Sequence, residues 1–216
     1  MYKTKNMETN FNQNITKEVA YMLGLLWADG YIEKGKYKYA INIECLSEDM
    51  IHFSKNLDKT GNWKYYYRTR KNRHPITKAH ISNKILNYFL VENDFINKSY
   101  VSPKKILSII QKELHSYFLL GVIDGDGCFY FNKKHGLRQF TLTGSLNQDW
   151  SSFEEIFKEL NVVYKIIRTP NSKTGSSQIR VLNKENIKKI GDYIYHNLNN
   201  NIGLPRKFEK YKLIIQ

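Results

Sequence analysis

Two stretches of the chain are apolar at nearly every position and end alike. Met22-Leu23-Gly24-Leu25-Leu26-Trp27-Ala28-Asp29-Gly30 and Leu119-Leu120-Gly121-Val122-Ile123-Asp124-Gly125-Asp126-Gly127 each close on Asp-Gly, with their last aspartates 97 positions apart. Residues four apart share a helix face, so Gly24 with Ala28, and Gly121 with Gly125, form flat stripes along which two helices can cross closely. A helical Gly costs about 1 kcal/mol relative to Ala, which close backbone contact would explain. Thr16 reads as the N-cap of a helix over 17–29, and Gly30 falls where a left-handed residue closes a helix.

Between the two stretches the period changes. Tyr37 to Glu44 alternates, with Ile41 and Ile43 on one face and Asn42 and Glu44 on the other. Ser47 is placed to cap a helix through Met50, Phe53 and Leu57. Trp63 to Arg70 predicts an aromatic-basic strand, Ala79-His80-Ile81 another, and a helix follows over about 83–93. Helix, hairpin, helix, hairpin, helix is the resulting order.

The second half repeats it. Asp49 and Phe53 recur as Asp149 and Phe153, and Asn83-Lys84 recur as Asn183-Lys184, all at an offset of 100. Phe140 to Thr143 stands for the first alternating strand and Val163 to Arg168 for the aromatic-basic one, as in a tandem duplication. The expected organisation is a flexible arm over 1–16, a first repeat over 17–98, a linker over 99–112 with Ser102-Pro103 stopping any helix, and a second repeat over 113–216.

The net charge of +14 is spread evenly: 16 basic against 10 acidic residues in 1–100, and 18 against 10 in 101–216. That distribution suits a long polyanion touching the whole protein, nucleic acid before others. Two cysteines, Cys45 and Cys128, make neither a disulfide framework nor a four-cysteine zinc site. No apolar leader opens the sequence and no run reaches the roughly 18 apolar residues of a membrane span, so a soluble, intracellular protein with no membrane partner is expected.

A carboxylate at a helix C-terminus sits beside carbonyls whose summed dipole is already negative, and two such ends brought together compound the cost. A divalent cation relieves it, and all-oxygen donors from aspartate and backbone carbonyls suit Mg2+. Against a phosphodiester, such metals activate water and stabilise the leaving oxygen.

With these residues in view, the paired segments resemble the motifs of the LAGLIDADG homing endonucleases in their monomeric, two-motif form, over essentially residues 17–212. The resemblance implies an α+β fold: two pseudo-symmetric αββαββα repeats forming a saddle of two four-stranded antiparallel sheets, with the motif helices at the interface. It implies a site-specific double-strand DNA endonuclease, with Asp29 and Asp126 as catalytic metal ligands, Ala28 and Gly125 offering carbonyls, and Mg2+ as cofactor with Mn2+ as a substitute. The motif's first acidic position is Trp27 in one copy and Asp124 in the other; it is not the metal-binding position, so Asp124 is set aside. Lys98 and Lys207, at the ends of the repeats, match basic residues that the family uses near the scissile phosphates. For the water-ordering polar position Ser47, Asn147 and Gln148 lie nearby, without a clear glutamine match in the first half.

On the strands, Asn42, Glu44, Arg68, Arg70 and His80 form the first half's candidate DNA-reading set, and Thr141, Thr143, Arg168, Gln178 and Arg180 the second's. Arg on guanine and Asn on adenine are strong base-edge pairings in the major groove. A compact chain of this length spans roughly 13 base pairs, and the halves differ, so a long, weakly palindromic duplex target is expected. The same fold also serves as an intron RNA maturase or as a regulator that binds DNA without cutting, which makes intron RNA the alternative partner.

Overall fold

The computed structural model describes residues 15–33, 39–170, 175–196 and 202–216, so residues 1–14 of the expected arm over 1–16 and the start of the first alternation, Tyr37 and Lys38, lie outside the described residues. Helix α1 (Lys17–Asp29) leads into strands β1 (Gly30–Ile32) and β2 (Ala40–Leu46), helix α2 (Ser47–Leu57), strands β3 (Lys64–Arg70) and β4 (Arg73–Ser82), and helix α3 (Lys84–Glu92). A short helix α4 (Lys104–Ile109) occupies the connection. Pro103 stands at its N-terminus, so the proline begins a helix there rather than barring one. Then come α5 (His115–Asp126), β5 (Gly127–Asn132), β6 (Leu137–Ser145), α6 (Ser151–Glu159), β7 (Lys165–Thr169), β8 (Ser176–Val181), α7 (Lys184–Tyr195) and α8 (Pro205–Ile215).

Each half folds as an open four-stranded antiparallel sheet, in the orders β1-β2-β4-β3 and β5-β6-β8-β7. The fold is α+β, as expected, with α1 and α5 packed against each other. Repeated residues do repeated work. Asn83 and Asn183 cap α3 and α7, their side chains accepting from Leu86 N, and from Glu185 N and Asn186 N. Phe53 and Phe153 are both buried under their sheets. Thr16 caps α1 through Val19 N. Ser47 is no cap, because its hydroxyl bonds to Thr77 across the sheet instead.

The small-residue stripes meet. A Cβ added at Gly24 would lie 2.1 Å from the Phe118 carbonyl oxygen, and one at Gly121 would lie 2.2 Å from that of Tyr21. Gly125 faces the Ala28 methyl in the same way. Gly30 is not left-handed: its φ is −70° and it opens β1. It is glycine for space, since a Cβ there would strike the Leu26 carbonyl at 2.4 Å. Among the described residues no helix is long and apolar enough to cross a membrane.

Candidate active site and DNA-facing surface

The crossing of α1 and α5 brings Asp29 and Asp126 to one end of the helix pair. The Asp29 carboxylate lies so close to α5 that a Cβ on Gly125 would be 3.0 Å from its Oδ2. Solvent reaches both carboxylates, yet protein backs them. Burial raises the Asp29 pKa against the pull of Lys98 and Lys207. Asp126 is pushed up to about 6, by burial first and then by the negative Asp29 beside it. Burial outweighs the pull of the two lysines at both acids, so each carboxylate has room for a further cation beside it. Among the described residues no cluster of three or more His, Cys, Asp or Glu side chains exists, so a metal here would draw its remaining ligands from carbonyls, water and substrate phosphate. Two carboxylates plus such oxygens are a donor set that fits Mg2+.

A cavity of about 260 Å³ opens beside Asp126, lined by Ala28, Lys98, Ser99, Thr143, Ser145 and Gln148 among others. Gln148 is held in it by donating to the carbonyls of Val101 and Asp149. Asn147 and Ser47 are not among its lining residues.

Lys98, at the end of the first repeat, and Lys207, near the end of the second, do the same thing. Lys98 Nζ donates to the carbonyls of Leu26, Ala28 and Gly30 at 2.9, 2.6 and 2.7 Å. Lys207 Nζ donates to those of Ile123, Asp124 and Gly127 at 2.6, 2.7 and 2.7 Å. Burial lowers both ammonium pKa values, that of Lys98 to about 8, while the nearby aspartates hold them up. Of the two carbonyls considered for metal, that of Ala28 is therefore shared with an ammonium, whereas Lys207 passes over Gly125 for Asp124.

The mismatched motif position is interior in both halves. Trp27 packs edge-on to Phe95 and leans on Phe118, with ring centroids 5.1 and 6.5 Å away. Its counterpart Asp124, 3% exposed, accepts from the Tyr21 hydroxyl at 2.7 Å and from Leu204 N at 3.0 Å. Tyr21 and Phe118 are themselves 97 apart, so Trp meets Phe across one side of the pseudo-twofold and Asp meets Tyr across the other. Asp124 serves packing, away from the metal position.

Burial pushes the Asp124 carboxyl up to about 6 as well, against Lys207, Tyr21 and the Leu204 amide. Both Asp124 and Asp126 thus bind protons in the folded chain at pH values where the unfolded chain, near 3.8, has released them. Stability of the metal-free protein is therefore expected to rise as pH falls from about 7 to about 5. Denaturant midpoints in chelator at both pH values check this, and a fall would contradict it.

Strand register sorts the candidate DNA residues. In the first sheet Tyr31, Asn42, His80 and Lys64 lie side by side across four strands, and Glu44, Lys78 and Tyr66 form the next row. Ile41, Ile43, Ala79 and Ile81 fill the opposite, buried face. Asn42 is not the free reader its alternation suggests: it is 5% exposed and bonded to His80 Nδ1 at 2.9 Å. Glu44 stands 3.9 Å from Arg68. A register irregularity between Arg68 and Arg70 breaks the alternation, so their sharing a face no longer follows, and the Arg70 side chain lies outside the described residues.

In the second sheet the matching row is Cys128, Thr141, Arg180 and Lys165, with Thr143, Gln178 and Ile167 next to it. Arg168 does not belong to this set. It pairs with Ser177, one residue out of phase, and its guanidinium donates to the carbonyls of Leu146 and Gln148 in the loop before α6. A single step along a strand reverses the face. Sequence reading passed over Lys64 and Lys165, Tyr31 and Tyr66. Lys64 could have been found, because it lies four residues from Arg68 and shares its parity.

No family model and no curated protein matches the sequence. Solved structures do match. The I-LtrWI LAGLIDADG homing endonuclease bound to target DNA is 18% identical, with a TM-score of 0.57, over 93% of this chain and 89% of that one. Mesophilic variants of the homing endonuclease I-DmoI match at 18% identity and a TM-score of 0.58 over 91% and 99%. I-DmoI in complex with DNA and Ca matches at 17% and 0.56 over 93% and 98%. The crossed Asp-Gly helices, the two sheets in equivalent strand order and these likenesses together give this chain the fold of the LAGLIDADG homing endonucleases, with both motif helices in one polypeptide.

Proposed function

We propose that this protein is a site-specific endonuclease, acting as a monomer, that hydrolyses both strands of a long, weakly palindromic DNA duplex with a divalent metal, Mg2+ before Mn2+. The observation that carries this reading is the meeting of Asp29 and Asp126 at crossed helix ends between two outward, cationic sheet faces. The structural relatives solved on DNA, one of them with Ca, support it. Asp29 and Asp126 would hold the metal, with Gly125 O, Ala28 O, water and the scissile phosphates completing its shell. When bound, the metal supplies an activated water and charge at the leaving oxygen. The rest of the chain positions: the sheets hold the duplex in register over the carboxylates, and Gln148 offers a fixed polar group in the cavity beside Asp126.

The test is cleavage of a plasmid library carrying randomised inserts, with Mg2+ and with chelator. Linear product in Mg2+ alone supports the proposal, and sequencing the cut ends yields the target. Tight duplex binding with no cutting in either Mg2+ or Mn2+ would make the protein a DNA-binding regulator instead.

Within this reading, Arg180 is the residue on the second sheet built for base recognition. Its Nη2 donates to Gln178 Oε1 at 3.2 Å, which orients the guanidinium, and its buried Nε has no partner among the described residues. Arg180→Ala should relax one guanine position of the target at a cost of about 1–3 kcal/mol. Lys165→Ala should instead weaken all sequences alike and lower the salt dependence by about one counterion. Competition binding against single-base target variants separates the two.

A further inference from the structure

The paired lysines carry an inference that goes beyond the proposed nuclease reading, and it departs from the family resemblance, which implies a basic residue from each half near the scissile phosphates. We infer that Lys98 and Lys207 are positioning residues: each latches the C-terminus of its own half's motif helix through three backbone carbonyls, and neither ammonium is a phosphate ligand.

An ammonium has three N–H donors and no more. In each lysine all three are engaged on carbonyls at 2.6–2.9 Å. A hydrogen bond to phosphate would require giving one of these up. The carbonyls stand where helix donors run out: Leu26 O and Ile123 O already accept the cap amides of Gly30 and Gly127, the later carbonyls of the last turn have no intrahelical partner, and the summed dipole makes that end negative. Leu26 and Ala28 lie in the last turn of α1, as Ile123 and Asp124 do in α5, and Gly30 and Gly127 open the following strands. One ammonium thus ties helix end and strand start together on either side of each acid, fixing the backbone at Asp29 or Asp126 from both directions. The device occurs twice, on residues brought from sequence distances of 68 to 84, which makes a chance surface contact a poor account of it.

The delivery of each lysine is braced by the other half. Next to Lys207, Arg206 makes a bidentate pair with the buried Asp49 of α2, both distances 2.6 Å. Just after Lys98, the carbonyls of Ser99 and Val101 accept from Ser145 and Gln148, and Ser102 bonds Ser152. Each latch is therefore held against the opposite sheet and its helix, which couples the two metal-binding aspartates to the docking of the halves.

The experiment is side-chain 15N NMR of lysine ammonium groups in the wild-type protein, free and then with a duplex carrying the cut site in Ca2+. The expected result is two ammonium signals, assigned by their loss in Lys98→Met and Lys207→Met, whose hydrogen exchange is at least about tenfold slower than that of the other lysines, since opening a latch breaks charge-assisted hydrogen bonds. Both signals should keep their shifts and show no phosphorus coupling on DNA. Fast exchange of both in the free protein would overturn the inference whatever the protein cleaves. Phosphorus coupling in the complex would overturn it in favour of a direct phosphate contact. If either methionine variant fails to fold, assignment comes from through-bond correlation in the wild type. Failure of the nuclease reading would show separately, as absence of cutting with the slow ammonium signals intact.

Discussion

Asp126→Asn, and Asp29→Asn likewise, should lower metal-dependent double-strand cleavage by about 10³-fold or more, roughly 4 kcal/mol of transition-state stabilisation. Asparagine preserves the shape and one carbonyl oxygen of the side chain but removes the charge. With a cation held by two carboxylates and otherwise by neutral or substrate oxygens, half of the protein's formal charge toward it goes with one substitution. DNA binding in chelator should remain, and should even tighten, because an anion facing a polyanion has been removed. The raised pKa of Asp126, caused after burial by Asp29, gives a second readout: Asp29→Asn should move the Asp126 titration down toward the usual carboxylate range. Single-turnover cleavage and binding on the same duplex measure the first effect. Full cutting by both variants would place the chemistry elsewhere.

The second large effect concerns the helix crossing. Gly24→Ala and Gly121→Ala should each cost more than about 3 kcal/mol of stability, the upper end of overpacking, because the new methyl meets backbone rather than a movable side chain. Gly136 provides the contrast. It is left-handed at φ 62° with nothing among the described residues within 4 Å of an added Cβ, so Gly136→Ala should cost only the roughly 1–2 kcal/mol of an alanine in that conformation. Gly125 adds a coupling test, since its added Cβ would collide at 2.4 Å with the Ala28 methyl. Gly125→Ala alone should destabilise, and combining it with Ala28→Gly should recover much of the loss, a non-additivity expected for residues in direct contact. Denaturant midpoints of the set decide it. Equal losses for Gly24, Gly121 and Gly136 would mean that the stripe is not a tight crossing.

Arg168 and Asn42 show where the linear reading of the surface stopped. Both sit on strands that were correctly recognised, and both have base-reading chemistry. Arg168 turned out to be one residue out of phase with Gln178 and Arg180, and Asn42 to be bonded to His80. Parity along a strand is local, but which parity faces the core depends on the neighbouring strand, and that is a tertiary fact. Ser47 and Gly30 failed for a related reason. A serine at a helix start and a glycine after a helix each have two physical uses, and tertiary packing chose between them: Thr77 took the Ser47 hydroxyl, and the Leu26 carbonyl left no room for a Cβ at Gly30.

What the sequence determined by itself is whatever a local period or a fixed spacing can encode. Small residues four apart, the Asp-Gly stops 97 apart and the repeated Asn caps at an offset of 100 sufficed for two copies of one αββαββα unit with two carboxylates at matched helix ends. The tertiary structure alone decided the destinations of long side chains. Lys98 and Lys207 were legible as cations at the ends of the repeats, yet nothing near them in the chain says that their ammonium groups close on carbonyls 68 to 84 residues away. A lysine has four flexible carbons and three donors, and its partner is set by whichever acceptor oxygens the packing brings within reach. Here those are carbonyls at the ends of the two motif helices and at the starts of the strands that follow them.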